Sequence, residues 1–78
     1  MNPKYEAAVG RNIRLLREQA RLTQEQLSAR LQVCGCDITR SALAKIEVGQ
    51  RHLYPDEIRA LKEILRVPYS AIFETDSL

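Results

Sequence analysis

The sequence contains little of what an enzyme, a metal site or a membrane segment requires. Its 78 residues include no tryptophan, one histidine and two cysteines, which are too few for the four ligands of a structural zinc site. No glycine-rich loop is present to hold a phosphate group. Apolar runs are short, and the N-terminal segment lacks the apolar centre of a secretory signal. We therefore expect a cytoplasmic protein without catalytic activity, cofactor, metal or membrane segment.

The length and apolar composition of the chain predict one small helical domain. Aromatic residues make up 5% of the chain, and the hydrophobic 45% consists mainly of Leu, Ile, Val and Ala, a composition that favours helices over sheets. A chain of 78 residues is near the lower limit for a single hydrophobic core. We expect one domain over residues 1–78, with an ordered core at about 5–74, loose residues at 1–4 and a tail at 75–78.

Charge is divided unevenly along the chain. The formal net charge is only +2. Residues 1–54 hold nine Lys and Arg against five Asp and Glu, a surplus of four, whereas residues 55–78 hold three against five, a deficit of two. Such an asymmetry fits a positively charged surface that meets an anionic partner, although a surplus of this size is also common in proteins without one.

The segment from Leu22 to Arg51 contains the clearest helix starts. Thr23 is a preferred N-cap residue, and Gln26 stands three positions later, where it completes a capping box. Thr39 occupies the same position before a second helical segment. The two helices, joined by a turn, are predicted to begin at Gln24 and Arg40.

Three further helices are predicted around these two. Apolar residues at helical spacing mark a first helix at about Tyr5 to Arg21, and Gly10 within it suggests a close approach to another helix. Pro55 opens a fourth helix that Pro68 ends near Arg66. A short last helix covers Tyr69 to Phe73. The core stripe of the first helix comprises Tyr5, Val9, Ile13, Leu16 and Ala20.

The helix that begins at Arg40 has one apolar and one polar side. At about 100° per residue, Leu43 and Ile46 share the side that faces the core. The opposite side carries two cations, a hydroxyl and a methyl group, which could meet base edges and thymine methyl groups in a major groove. The alternative is an ordinary solvated helix face. The residues on this outward side are Arg40, Ser41, Ala44 and Lys45.

Several segments together resemble a known family. They are RNIRLLR at 11–17, LTQEQL at 22–27, SALAKIEVGQR at 41–51 and LRVPYSAIF at 65–73. They resemble the lambda-repressor/Cro-type helix-turn-helix family of small bacterial and phage regulators, often called XRE-type. The resemblance covers nearly the whole chain. It implies an all-α, five-helix lambda-repressor-like domain and a transcriptional repressor that binds double-stranded DNA with helix 40–47 in the major groove.

The resemblance also assigns roles to individual residues. Arg17 and Glu47 are expected to form an ion pair that ties the first helix to the third. The outward residues of helix 40–47 are expected to read bases. Contacts to DNA phosphates are expected at the starts of the second and third helices and in the loop after the third, from Gln24, Thr39, Gln50, Arg51 and His52.

The connection between the second and third helices departs from the family pattern. QVCGCD at 32–37 is longer than the usual turn, which leaves open how the third helix docks on DNA. Cys34 and Cys36 within it are too close in sequence for an ordinary disulfide, and we interpret them as free thiols, one packed against Leu31 or Ile38. Redox sensing is the minor alternative.

A single small domain usually recognises DNA as one of two copies on a near-palindromic site. We therefore expect a homodimer, at least on DNA, that uses Leu15, Leu53, Tyr54 or the region of the fourth and fifth helices. Two alternatives keep the same scaffold: an antitoxin-type regulator, or a protein-interaction module that does not bind DNA.

Overall fold

The computed structural model describes residues 2–75, which form five helices and no strand. The predicted all-α, five-helix fold is therefore confirmed. Met1 and residues 76–78, which contain most of the predicted tail, lie outside the described residues. The helices are α1 (Pro3–Gln19), α2 (Gln24–Val33), α3 (Arg40–Glu47), α4 (Pro55–Leu65) and α5 (Tyr69–Phe73).

Helix α1 begins two residues earlier than predicted and ends two residues earlier. The Oδ1 atom of Asn2 accepts hydrogen bonds from the backbone N–H groups of Lys4 at 2.8 Å and Tyr5 at 3.2 Å. Asn2 is thus the N-cap, and the proline that follows it occupies the first helical turn, where its missing N–H is harmless. The chain then leaves the helix through Ala20, which is exposed and does not join the core, and Arg21 in a left-handed conformation.

Helices α2 and α3 begin at the predicted residues. The hydroxyl of Thr23 accepts a hydrogen bond from the N–H of Gln26 at 3.0 Å, and the Gln26 side chain accepts one from the N–H of Thr23 at 2.9 Å. At α3, the hydroxyl of Thr39 accepts from the N–H of Ala42 at 3.1 Å. Each cap satisfies backbone donors that the first helical turn leaves free.

The long connection between α2 and α3 returns to the core after one exposed turn. Gly35 has a φ of +86°, in the left-handed region that glycine adopts without strain. The N–H of Cys36 then donates to the carbonyl of Leu31 at 2.9 Å, and the Ser28 hydroxyl donates to the carbonyl of Ile38 at 2.6 Å. These contacts lead the chain into the buried Ile38 just before α3.

The core lies where the apolar faces of the helices meet. α1 packs against α3 and α5, and α2 packs against α3 and α4. On α4, Leu61 and Leu65 are buried while Ile58 and Ile64 pack at the edge. The residues with almost no exposed surface are Val9, Ile13, Leu27, Leu31, Ile38, Leu43, Ile46, Leu61 and Ile72.

Helix α5 is fastened to α1 by polar contacts. The hydroxyl of Tyr5 donates to the carbonyl of Phe73 at 2.8 Å. The amide nitrogen of Asn12 donates to the carbonyls of Ile72 at 2.9 Å and Glu74 at 2.8 Å. Because these carbonyls lie at the end of α5, where no helical donor follows, the contacts satisfy them and close the domain.

Both cysteines are free thiols, in agreement with the interpretation of the sequence. Cys34 is exposed, whereas Cys36 is buried within the apolar core cluster that includes Leu31 and Ile38. Burial raises the pKa of the Cys36 thiol, because the thiolate is poorly solvated there. Cys36 is therefore held in the protonated thiol form, which is less reactive than a thiolate.

Candidate nucleic-acid interface

The outward side of α3 presents the four residues that the sequence analysis assigned to base reading. Arg40, Ser41 and Lys45 are exposed and Ala44 is half-buried. Leu43 and Ile46 on the opposite side are buried in the core. The helix is therefore anchored on one side and leaves a continuous polar side open, with a cation near each end.

The start of α2 lies beside the start of α3. A surface depression of about 440 Å³ is lined by Arg17, Thr23, Gln24, Glu25 and Arg40. Three of these residues cap or begin α2, and the partial positive charge of a helix N-terminus favours an anion near it. Arg40 thus belongs both to the outward side of α3 and to the rim of this depression.

Glu47 connects three helices at the end of α3. The Nε and Nη2 atoms of Arg17 donate to the two carboxylate oxygens of Glu47 at 2.7 Å and 3.1 Å, and Nη1 donates to the carbonyl of Leu22 at 2.9 Å. The amide of Gln24 donates to the same carboxylate at 3.0 Å. The hydrogen bonds that Arg17 donates to Glu47 stabilise the charged guanidinium group and raise the pKa of Arg17. This arrangement fixes the end of α3 against α1 and the start of α2.

Gln24 and Thr39 are both engaged within the protein. One amide hydrogen of Gln24 is directed at Glu47, which leaves the second hydrogen and the oxygen for another partner. The hydroxyl oxygen of Thr39 accepts the capping bond of α3, but its hydrogen remains free to donate. The geometry leaves both residues able to donate to a phosphate.

The loop after α3 is held by a second ion pair. Arg51 donates two parallel hydrogen bonds to the carboxylate of Glu57 at 2.9 Å and 3.0 Å, and its side chain is 27% exposed. The N–H of Tyr54 donates to Glu57 at 3.0 Å. The bonds from Arg51 lower the pKa of Glu57, which is itself buried. The guanidinium group that was predicted to bind a phosphate is thus already paired.

The remaining loop residues differ in their contacts. The exposed ring of His52 contacts the carboxylate of Glu6 on α1 through Nδ1. Gln50 is exposed, and its N–H donates to the carbonyl of Lys45 at 2.8 Å. The loop is therefore connected to α1, to α3 and to α4. Among residues 2–75, no group of three or more His, Cys, Asp or Glu side chains could hold a metal ion.

Three features of this surface were not anticipated from the sequence. They are the pairing of Arg51 with Glu57, the contact of His52 with Glu6, and the hydrogen bond from Gln24 to Glu47. Glu57 stands in the first turn of α4, where local sequence indicates only a favourable charge at a helix N-terminus. No short-range spacing marks these three contacts, because each depends on how the helices pack.

The chain belongs to a helix-turn-helix family. Residues 8–71 match the family described as "Helix-turn-helix domain", and the matched region contains α2, α3 and the connection between them. The resemblance noted from the sequence is therefore confirmed at the level of the family. No curated protein and no solved structure matches the chain. Within residues 2–75, none of the helices is both long and apolar enough to cross a membrane.

Proposed function

We propose that the protein is a sequence-specific regulator of transcription that binds double-stranded DNA, and that it acts as a repressor. The observation that carries the proposal is the outward side of α3. It is exposed and holds Arg40, Ser41 and Lys45, while the other side of the helix is anchored in a helix-turn-helix domain. A helix presented in this way fits the width of a major groove.

The proposal divides the surface into residues that read bases and residues that hold the backbone. Arg40 and Lys45 have the length and donors to reach guanine, a contact worth about 1–3 kcal/mol of discrimination. Ser41 and Ala44 are short: the hydroxyl of Ser41 suits a hydrogen bond to a base edge, and the methyl group of Ala44 suits contact with a thymine methyl group. Phosphate contacts at both ends of this helix would then hold it in register. They are assigned to Gln24, Thr39, Gln50, Arg51 and His52.

Two copies of the domain on a near-palindromic operator complete the proposal, since half-site symmetry doubles the number of bases that are read. Leu15 and Tyr54 are large apolar side chains that are more than half exposed, and Leu53 is half-buried. A homodimer that forms at least on DNA would use part of this surface. A cytoplasmic location and the absence of catalysis belong to the same proposal.

Selection from a random duplex pool tests the function directly. The protein is expected to enrich one sequence with two related half-sites. Lys45→Ala should reduce that enrichment, while Arg14→Ala, which changes an exposed cation on α1, should leave it unchanged. A pool that shows no enrichment after repeated rounds contradicts the proposal.

A protein-interaction role, including that of an antitoxin-type regulator, is the second candidate. Val33 is 88% exposed at the end of α2. It borders a groove of about 430 Å³ whose lining also includes Ala29 and Ile64. The apolar side chains of this groove are candidates for contact with another protein, and Arg30, Glu63 and Arg66 border them. If selection from the random duplex pool enriches no sequence and the protein forms a stable complex with a partner protein, this candidate is favoured.

A further inference from the structure

Helix α1 meets the end of α3 through backbone atoms. A methyl group built on Gly10 would lie 2.3 Å from the carbonyl oxygen of Ile46 and 2.9 Å from the backbone of Glu47. Real side chains do not approach a carbonyl oxygen this closely, and a backbone carbonyl cannot rotate away as a flexible side chain can. Only glycine at this position allows the two helices to lie at their observed separation.

A second backbone contact lies directly beyond the first. Gly49 has a φ of +78°, and a methyl group on it would lie 2.8 Å from the Cα atom of Ala7 on α1. The N–H of Gly49 donates to the carbonyl of Ile46 at 3.1 Å, the same carbonyl that faces Gly10. The end of α3 and the loop after it therefore rest together on one face of α1.

The polar contacts of α1 flank this face on both sides. One helical turn before Gly10, Glu6 contacts His52 of the loop, and two turns after it, Arg17 pairs with Glu47. Side chains can adjust by rotation, but a contact between two backbones cannot. The two glycines therefore set the distance between α1 and the end of α3, while the charged pairs set how the two helices are oriented.

We infer that Gly10 and Gly49 are positioning residues that set how deeply α3 enters the major groove, and hence its selectivity among DNA sequences. This inference rests on the proposed function. Moving a methyl group at Gly10 from 2.3 Å to the 3.0 Å at which real contacts begin requires a displacement of about 0.7 Å. Such a displacement is large against the narrow range of hydrogen-bond lengths at a base edge, and the short side chains of Ser41 and Ala44 cannot extend to follow it. Phosphate contacts, which every duplex offers, carry no sequence preference.

Gly10→Ala tests the inference because the position is buried and cannot itself touch DNA. The dissociation constants are measured on the selected operator and on a random duplex, at a temperature where every variant is folded. We expect the dissociation constant on the operator, divided by that on the random duplex, to rise at least about tenfold, because binding to the operator weakens while binding to the random duplex stays nearly unchanged. The backbone amide signals of α3 should shift in the same variant.

Ala60→Gly is the control for lost stability. Ala60 is buried on α4, which packs against α2, and glycine in a helix interior destabilises it. A merely structural effect would lower stability in both variants and leave the operator-to-random ratio unchanged in both. An unchanged ratio in folded Gly10→Ala, from a protein whose unaltered form does select a sequence, overturns the inference and leaves the proposed function intact.

A second pair of variants serves if Gly10→Ala does not fold. Asparagine tolerates a left-handed backbone better than other residues with side chains. Gly49→Asn would place a Cβ against α1, whereas Gly35→Asn makes the same change at a φ of +86° with no atom within 4 Å. We expect selectivity to fall in Gly49→Asn alone. Equal selectivity in the two variants overturns the inference, and an unaltered protein without any preferred duplex overturns the inference and the proposed function together.

Discussion

Arg17 and Glu47 lie across α1 and α3 with their side chains almost fully withdrawn from solvent, 10% and 2% exposed. The guanidinium group faces the carboxylate through two hydrogen bonds and also reaches the carbonyl of Leu22. Within residues 2–75, no buried side-chain nitrogen or oxygen lacks a hydrogen-bond partner. Removing either charge would leave the other buried and unpaired, which is the costly case for a buried ion pair.

The first prediction follows from this burial. Arg17→Ala and Glu47→Ala should each lower the free energy of unfolding by about 3 kcal/mol, and the double variant should lose much less than the sum of the two. Urea denaturation of the four proteins in a double-mutant cycle measures the coupling. Strictly additive losses would show that the two residues act independently.

The exposed pair of Arg59 and Glu63 is the matched control. Its side chains are joined at 3.3 Å across one turn of α4 and are 74% and 60% exposed. Screening by water leaves such pairs little net effect. The same cycle on this pair should therefore show almost no coupling.

Local signals in the sequence were sufficient for the starts of α2, α3, α4 and α5, which begin at the predicted residues. Thr23 and Thr39 cap α2 and α3 at the predicted positions, because a capping hydroxyl acts on backbone groups only two or three residues away. Asn2 caps α1 in the same way. The apolar stripe of this helix begins only at Tyr5, so the start predicted from the stripe fell two residues late.

The internal partners of the polar residues in the loop after α3 and at the start of α2 could be predicted much less well. Arg51 and Glu57 are six residues apart and meet only because the intervening loop folds back before α4. Gln24 and Glu47 are separated by 23 residues. No periodicity links such positions, so the sequence predicted phosphate contacts for Gln24 and Arg51 but not their contacts with Glu47 and Glu57.

The second prediction concerns acid. Glu57 has a lowered pKa in the folded protein because Arg51 donates to it. A carboxyl group with a lower pKa in the folded state than in the unfolded state contributes stability that is present above the unfolded pKa and is lost as the pH falls through the folded value. Glu57→Gln should lower stability at pH 7 by roughly 1–2 kcal/mol, because the hydrogen bonds lose their charge.

Thermal denaturation between pH 7 and acid pH provides the measurement. The difference between Glu57→Gln and the unaltered protein should shrink as the pH falls below the usual carboxyl pKa. Glu63→Gln, on the exposed side of α4, should show no such convergence. A constant difference at every pH would mean that the charge of Glu57 is not what stabilises the loop.

The third prediction separates the two thiols. Exposed Cys34 should react rapidly with a thiol reagent. Buried Cys36 should react slowly, because restricted access and a raised pKa both slow its reaction. Cys34→Ser should leave stability unchanged, and Cys36→Ser should cost about 1 kcal/mol, because it buries a more polar group. Operator affinity should not depend on reductant. An oxidant-dependent affinity that Cys34→Ser abolishes would support the redox alternative.

The last prediction distinguishes base reading from backbone contact. Arg40→Ala and Lys45→Ala should weaken binding to the selected operator far more than binding to a random duplex, because both side chains lie on the outward side of α3. Arg51→Ala should weaken binding to both duplexes alike and reduce the salt dependence by about one phosphate contact. If Arg40→Ala and Arg51→Ala behave identically on the two duplexes, Arg40 does not read a base.

The pairing of Arg51 with Glu57 makes this test sharper, because it allows two roles for the same arginine. If Arg51 shares its guanidinium group with a phosphate, Glu57→Gln removes a competing negative charge, and affinity should rise for both duplexes while Arg51→Ala lowers it. If Arg51 only holds the loop, both variants release the same loop, and both should lower affinity. Equilibrium binding at two salt concentrations decides between these outcomes. Opposite signs together with a reduced salt dependence in Arg51→Ala indicate a phosphate contact, whereas equal signs together with an unchanged salt dependence indicate that Arg51 only holds the loop.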